Sequence, residues 1–112
     1  MKGNIVLIQF PFDDLSTSKL RPAYCLTHPI GSYQHIIFSL ITSRIPNPIL
    51  TTDIVLETTY PDFPQGGLQK SLTIRLDHLI TLRQSMIRRE LGNLSPTTQS
   101  KISIVLCKLL KA

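Results

Sequence analysis

The sequence predicts a mainly β domain that ends in one C-terminal α-helix. Short β-branched and apolar runs recur along the chain, and stretches containing proline or glycine separate them, as in sheets built from short strands. Helical spacing of apolar residues stands out near the C-terminus. The 112 residues suffice for one domain and are too few for two, so residues 1–112 are predicted to form a single domain. We expect a small, curled, mostly antiparallel sheet, because curling limits unpaired edges.

The C-terminal helix has signals at both ends and an apolar stripe between them. Ser95 can act as the N-cap, and Pro96 suits the first helical position. Lys108 and Lys111 suit the negative end of the helix dipole. The apolar residues whose spacing predicts the buried face are Ile102, Val105, Leu106 and Leu109.

The strands are predicted from the apolar runs between turn signals. Pro11 ends the first run, since proline cannot donate to a sheet ladder. Residues 12–20 and 60–67 are polar or rich in proline and glycine, which indicates loops. Residues 86–91 fit a helical turn or an exposed edge strand, and both interpretations stay open. The predicted strands are residues 5–10, 23–27, 36–41, 54–57, 71–76 and 79–82.

The chain is basic and somewhat apolar. Its formal net charge is +5 at pH 7 and its pI is about 9.6. Such a charge attracts phosphate backbones or an acidic protein partner, although many small domains carry it for solubility alone. Hydrophobic residues make up 42% of the chain and the mean hydropathy is +0.12. An interface between two copies would cover the excess apolar surface, so we expect a homodimer.

The cysteines and the chain start indicate a cytoplasmic protein. Cys25 and Cys107 each lie in an apolar run and lack metal-ligand spacing, which predicts two buried, unpaired thiols in a reducing compartment. The first residues run directly into a strand-like segment and do not resemble a signal peptide. No apolar run reaches the roughly 18–20 residues that cross a bilayer, so no membrane contact is expected.

The acidic residues and histidines predict neither a metal site nor a cofactor. Asp13 and Asp14 are adjacent, so their side chains diverge in an extended chain, and the other carboxylates are scattered. A two-metal nuclease needs several converging oxygens. His28 and His35 flank one turn and could form an acid–base pair, although exposed turn histidines are commoner. His78 lacks a partner at ligand spacing.

Arg21 and Thr42 are the functional candidates that remain. Arg21 lies where a polar loop meets a strand, and Pro22 stiffens the next position. A guanidinium held in this way can direct its paired donors at a phosphate from the mouth of a cleft. Thr42 and Ser43 end a predicted strand, where hydroxyls are well placed to touch a substrate. From the pattern alone, a surface salt bridge is an equally open role for Arg21.

Several short motifs, taken in order, resemble the MazF/PemK toxin family. The chain opens with GNIVL at residues 3–7, continues with FPF at residues 10–12 and reaches Arg21-Pro22 after a polar loop. The resemblance covers nearly the whole chain in the right order. The later matching segments are ITS at residues 41–43, GL at residues 67–68 with Ser71, LITL at residues 79–82 and LGNLS at residues 91–95.

The resemblance implies an SH3-like barrel, a homodimer and an acidic antitoxin partner. It implies metal-independent cleavage of single-stranded RNA such as messenger RNA, with Arg21 and Thr42 as the catalytic residues. The 2′-hydroxyl of RNA would attack the adjacent phosphate and leave a 2′,3′-cyclic phosphate. Arg21 would neutralise the developing charge, and Thr42 would position the phosphate, because a threonine hydroxyl is a poor base. The RNA-binding residues expected on this basis are Phe12, Asp14, Ser16, Ser18, Lys19, Ser43, Arg44, Lys70 and Ser71.

Two alternative functions stay open at the level of sequence. The related CcdB toxins share the barrel but act by binding gyrase, and a degenerate family member would only bind RNA or antitoxin. The sequence also leaves open which residue takes the 2′ proton and which protonates the leaving 5′ oxygen.

Overall fold

The fold is one antiparallel sheet followed by one helix. The computed structural model describes residues 1–10, 20–56 and 71–112, and these form a six-stranded sheet and an α-helix. The predicted mainly β fold with a C-terminal helix is therefore confirmed. The strands are β1 (Asn4–Gln9), β2 (Leu20–Cys25), β3 (His35–Thr42), β4 (Asp53–Leu56), β5 (Leu72–Arg83) and β6 (Ile87–Asn93). A 3₁₀ turn (Gln84–Met86) joins β5 to β6, and α1 (Pro96–Lys111) follows β6.

The sheet curls strongly, because β5 and β6 follow each other directly in the chain but are separated by three strands in the sheet. The strands are arranged β4-β5-β3-β2-β1-β6 across the sheet. In a flat sheet, β5 and β6 would lie about 19 Å apart, since three other strands separate them. Only residues 84–86 connect the two strands, and a chain of that length spans at most about 14 Å. The sheet therefore bends back toward closure, as a barrel-like domain requires.

The core consists of two clusters, one on each face of the sheet. Neighbouring residues of a strand point to opposite faces, so Ile5 and Val6 of β1 belong to different clusters. α1 packs on one face, and the cluster on the other face is also buried, with its residues at most 1% exposed. The helix-side cluster comprises Ile5, Tyr24, Ile41, Ile54, Leu56, Ile74, Leu76, Leu94 and Ile102. The opposite-side cluster comprises Val6, Ile8, Ala23, Cys25, Ile36 and Phe38.

α1 begins at the predicted cap and packs through the predicted stripe. The Ser95 side chain accepts a hydrogen bond from the Thr98 N–H at 3.3 Å, which confirms it as the N-cap. Ile102 is 1% exposed and belongs to the helix-side cluster of the core. The remaining stripe residues are half-buried: Val105, Leu106 and Leu109. Within the described residues, no helix combines the length and apolar character needed to cross a bilayer.

Some local predictions differ from the structure, and the structure also decides the alternative left open at residues 86–91. The strands predicted at residues 71–76 and 79–82 form one strand, β5, because a bulge bends the strand without ending it. Residues 87–91 of the ambiguous segment lie in β6, and Met86 closes the 3₁₀ turn. Cys25 and Cys107 are both unpaired, and Cys25 is buried as predicted. The prediction of burial is wrong for Cys107, which is exposed because it lies on α1 outside the apolar stripe.

Replacement of Ile102 by alanine should lower the free energy of unfolding by about 2–5 kcal/mol, since it removes fully buried methyl groups and leaves a cavity. Urea denaturation followed by circular dichroism measures this loss. Ser103 is exposed on the same helix, so Ser103→Ala is a matched control that should stay within about 0.5 kcal/mol of the unmodified protein. An equally small change for Ile102→Ala would contradict the burial of the stripe.

Burial raises the pKa of the Cys25 thiol from its ordinary value of 9.0 to about 11. Between these values the folded state keeps a proton that the unfolded chain has released. The contribution of the Cys25 thiol to the free energy of unfolding is therefore complete below pH 9 and is lost as the pH rises toward 11. Urea unfolding across this range should show stability falling with pH, and less steeply in Cys25→Ala. An identical slope in both proteins would show that Cys25 is not the responsible group.

Candidate active site

The candidate site lies where β2 and β3 stop pairing. The ladder between the strands runs from Cys25 opposite Phe38 to Ala23 opposite Leu40, and it ends there. Pro22 comes next on β2, and its nitrogen has no hydrogen to donate to a ladder. The two strands therefore separate beyond this point and leave an opening at one end of the sheet.

Arg21 and Thr42 lie at the same level on the two sides of this opening. Continuing the register of Ala23 opposite Leu40 by two residues places Arg21 opposite Thr42. On its other side Arg21 is paired with Ile8 of β1, so its backbone remains in the sheet. Residues two apart in a strand share a face, so Arg21 and Thr42 both belong to the face that α1 leaves uncovered.

The opening is a cleft of about 390 Å³. Its lining includes two guanidinium groups, two hydroxyl groups and one imidazole, a set of donors that suits a phosphate. The lining residues are Phe10, Arg21, Pro22, Leu40, Ile41, Thr42, Ser43, Arg75 and His78.

The Thr42 hydroxyl is oriented by the chain that follows it. Its Oγ1 accepts a hydrogen bond from the Arg44 N–H at 3.2 Å, an arrangement that threonine commonly forms at turns. The oxygen already serves as an acceptor, and the hydroxyl hydrogen is available to donate. Thr42 is therefore suited to donate a hydrogen bond to a phosphate oxygen at the end of β3.

The register between β3 and β5 changes at the level of the cleft. Ser39 lies opposite Leu79, whereas the next residue, Leu40, lies opposite Arg75. Residues 76–78 of β5 consequently have no counterparts on β3. Such a bulge bends a strand and redirects the side chains of the extra residues.

The bulge is held from both sides, and it brings His78 to the cleft. The buried Ser39 hydroxyl donates to the Arg75 carbonyl at 2.7 Å. The Leu76 N–H donates to the Thr52 carbonyl, next to β4, at 3.1 Å. With the backbone fixed at these two points, His78 lines the cleft and its side chain is 49% exposed.

Arg75 is held by a buried carboxylate. Asp53 lies opposite Arg75 in the β4–β5 ladder, and its side chain is 0% exposed. Asp53 Oδ2 accepts a hydrogen bond from the Leu50 N–H at 2.9 Å, which fixes the carboxylate group. Oδ1 lies 3.6 Å from Arg75 Nε, an ion-pair distance longer than a hydrogen bond. Asp53 thus provides a buried counter-charge for the guanidinium of Arg75, a residue that lines the cleft.

Asp77 joins Arg75 and His78 into one charged group. Its Oδ1 lies 3.8 Å from Arg75 Nε and 3.6 Å from His78 Nε2. The Asp77 side chain is 34% exposed, so this group meets water at the edge of the cleft. The bulge therefore places a guanidinium, a carboxylate and an imidazole together beside the cleft.

The structure brings together only part of the predicted site. Arg21, Thr42 and Ser43 line one cleft, as their assignment to a common site requires. Arg44 is exposed and does not line the cleft, although its N–H orients Thr42. Ser71 is half-buried and is not among the lining residues. The other predicted RNA-binding residues lie outside the described residues: Phe12, Asp14, Ser16, Ser18, Lys19 and Lys70.

Arg75, Phe10 and His78 are among the cleft residues that lie outside the predicted site. Arg75 had a signal in the sequence, since it is a lone charge between Ile74 and Leu76 in an apolar strand. Phe10 ended a predicted strand and had no polar feature to mark it. His78 could not be placed, because only the bulge turns it toward the cleft.

His28 and His35, which the sequence offered as an alternative acid–base pair, do not line this cleft. His28 Nδ1 accepts a hydrogen bond from the Lys2 N–H at 3.4 Å, and the His35 ring lies 6.1 Å from that of Tyr33. In the part of the chain that the structure describes, no three His, Cys, Asp or Glu side chains are grouped so that they could hold a metal ion.

Comparison with solved structures shows that the fold is that of the MazF toxins. The Mycobacterium tuberculosis toxin MazF-mt6 superposes with a TM-score of 0.72, at 16% identity over 96% of each chain. An endoribonuclease in complex with its cognate antitoxin, from a mycobacterial species, gives a TM-score of 0.70 at 14% identity, over 99% of this chain and 94% of that one. The MazE–MazF structure from Deinococcus radiodurans gives 0.67 at 19% identity, over 96% and 91% of the two chains.

The family is shown by sequence. Residues 1–110 match the family model described as PemK-like, MazF-like toxin of type II toxin-antitoxin system. A comparison with curated protein sequences found no match. The chain therefore belongs to the PemK/MazF-like toxin family.

Replacement of Asp53 by asparagine should lower the free energy of unfolding by about 1–3 kcal/mol, because Arg75 loses its buried counter-charge. Asparagine keeps the size of the side chain and an oxygen for the Leu50 N–H. Glu90 is an exposed carboxylate on β6, so Glu90→Gln is the matched control and should change stability by less than about 0.5 kcal/mol. Equal stability of the two variants would contradict an anchoring ion pair.

Proposed function

We propose that this protein is the toxin of a type II toxin–antitoxin system and acts as a metal-independent endoribonuclease on single-stranded RNA. Arg21 and Thr42 are its catalytic residues, and the products are a 2′,3′-cyclic phosphate and a 5′-hydroxyl. The observation that carries the proposal is the cleft at the β2–β3 opening, where these two residues lie at one level beside Arg75. Family membership supports it independently.

The chemistry requires charge stabilisation more than it requires a protein nucleophile. RNA carries its own nucleophile, the 2′-hydroxyl beside the scissile phosphate. As this oxygen attacks, negative charge builds up on the phosphate oxygens. Arg21 and Arg75 both line the cleft, and guanidinium groups stabilise such charge through paired hydrogen bonds. We assign Arg21 to the reacting phosphate because it has an exposed position at the mouth of the cleft.

Thr42 has a positioning function in this mechanism. Its oxygen accepts the Arg44 N–H, so its hydroxyl hydrogen is free to be directed at a non-bridging phosphate oxygen. Ser43 is the next residue and also lines the cleft, where it would contact the RNA backbone. Holding the phosphate from two sides favours the in-line arrangement of the attacking and leaving oxygens.

The partners proposed are an acidic antitoxin and a second copy of this chain. A net charge of +5 favours an acidic partner. Ile104 and Leu110 of α1 are 56% and 73% exposed, which is apolar surface that a partner would cover. Two of the similar structures are described as complexes, one with a cognate antitoxin and one as MazE–MazF.

Arg21→Ala should keep the fold and lower the rate of RNA cleavage by roughly 10²–10³-fold, the usual cost of losing one donor to the transition state. The assay uses a fluorescent single-stranded RNA of mixed sequence, with EDTA present throughout, and identifies the ends of the fragments. Lys108 is an exposed cation on α1, across the sheet from the cleft. Lys108→Ala removes the same charge there and should cleave at the unmodified rate.

The same assay separates the alternative functions. Cyclic-phosphate fragments produced in EDTA support the nuclease. RNA that is bound but left intact would identify a binding protein, and the absence of any interaction with RNA would point to a protein target. Undiminished cleavage by Arg21→Ala would remove Arg21 from the mechanism.

A further inference from the structure

We propose that His78 is the general base of this cleft and that it removes the proton from the 2′-hydroxyl of the RNA, with Asp77 as its positioning residue. This inference rests on the proposed ribonuclease function. It goes beyond that function by assigning the proton transfer to a residue that the sequence pattern does not single out.

The first support is the placement of His78. The bulge of residues 76–78 turns it out of the ladder and into the lining of the cleft that contains Arg21 and Thr42. Two hydrogen bonds hold the backbone here: the Ser39 hydroxyl donates to the Arg75 carbonyl, and the Leu76 N–H donates to the Thr52 carbonyl. The imidazole is half exposed, so it is accessible to a bound RNA.

The second support is the direction in which the ring is held. His78 Nε2 is the ring nitrogen beside Asp77 Oδ1, at 3.6 Å, a distance longer than a hydrogen bond and within the range of a charge pair. A carboxylate in this position favours the tautomer with its proton on Nε2. Nδ1 is then the nitrogen with a lone pair, which is the form that a general base requires. Asp77 is itself anchored beside Arg75 Nε at 3.8 Å.

The third support is chemical. Among the cleft residues that the structure describes, the guanidinium groups of Arg21 and Arg75 stay protonated and cannot accept a proton. The hydroxyls of Thr42 and Ser43 are poor bases. Imidazole is the side chain type in this set that accepts and returns a proton near neutral pH.

The step balances with groups already named. The 2′-hydroxyl proton moves to His78 Nδ1, and the electron pair of that O–H bond forms the bond between the 2′ oxygen and phosphorus. The bond between phosphorus and the 5′ oxygen breaks, and the leaving oxygen keeps its electron pair and takes a proton from water. The imidazolium then returns its proton to solvent, and no external oxidant or co-reactant is needed.

The test compares His78→Gln and His78→Gly with His28→Gln, which replaces an exposed histidine outside the cleft. Single-turnover cleavage by His78→Gln should be about 10²–10⁴-fold slower, the usual contribution of a general base. Its affinity for an uncleavable 2′-O-methyl RNA should match that of the unmodified protein. Added imidazole should speed His78→Gly and leave His28→Gln and the unmodified protein unchanged.

A second substrate separates a base from an acid. An RNA with sulfur in place of the scissile 5′ oxygen has a leaving group that needs no protonation. If His78 is the base, the His78→Gln defect persists on this substrate; if the defect disappears, His78 protonates the leaving group and the proposal is wrong. It is also overturned if imidazole gives no rescue, or if Asp77→Asn costs more rate than His78→Gln.

The outcomes distinguish this inference from the function on which it rests. If the unmodified protein does not cleave RNA, the proposed function fails. If it cleaves, and Arg21→Ala is inactive while His78→Gln keeps full activity, the ribonuclease stands and only the role of His78 is rejected.

Discussion

The candidate site depends on the loss of pairing between β2 and β3 at Pro22. In a continuous sheet, the backbone groups on both sides of this position would bond to each other and leave no space. Because Pro22 lacks an N–H, the ladder ends one residue earlier, at Ala23 opposite Leu40. The remaining pairing of β2 with β1 keeps Arg21 in register. The missing N–H of Pro22 thus coincides with the opening between β2 and β3, while the pairing with β1 fixes the backbone of Arg21 beside that opening.

The helix and the candidate site lie on opposite faces of the sheet. α1 covers one face, where buried aliphatic side chains form the helix-side cluster. The other face carries its own apolar cluster and ends, beside the opening, in polar and charged side chains. Period-2 alternation produces this division, since residues that share a face lie two apart. It also explains how the fold is kept at 14–19% identity to the MazF structures, because alternation constrains polarity more than side-chain identity.

The charges of the cleft are held by the fold. Asp53 is buried, and a buried carboxylate is costly unless it has partners; here it accepts the Leu50 N–H and lies beside Arg75. Asp77 then links Arg75 to His78 at the surface. Arg75 and His78 are therefore paired with carboxylates of the fold itself, and charges arranged in advance lower the reorganisation that the binding of a ligand requires.

The sequence alone determined the local structure and the family. Alternating apolar runs, proline and glycine punctuation, and the Ser95-Pro96 start of α1 predict their elements because each depends on residues close together in the chain. The order of short motifs indicates the family, and the positions of Arg21 and Thr42 at strand ends mark them as candidate site residues. The exposure of Cys107 shows the limit of this reasoning, since an apolar run does not say which side of a helix meets the sheet.

Only the tertiary structure decided how the site is completed. The bulge at residues 76–78 exists because β5 pairs with β3, about 40 residues earlier in the chain, in two different registers. The partnership of Asp53 with Arg75 likewise depends on the β4–β5 register. No local pattern encodes either register, because a shift of one residue leaves the sequence unchanged and moves every side chain to the other face. For this reason Arg75 and His78 join Arg21 and Thr42 only once the sheet has formed.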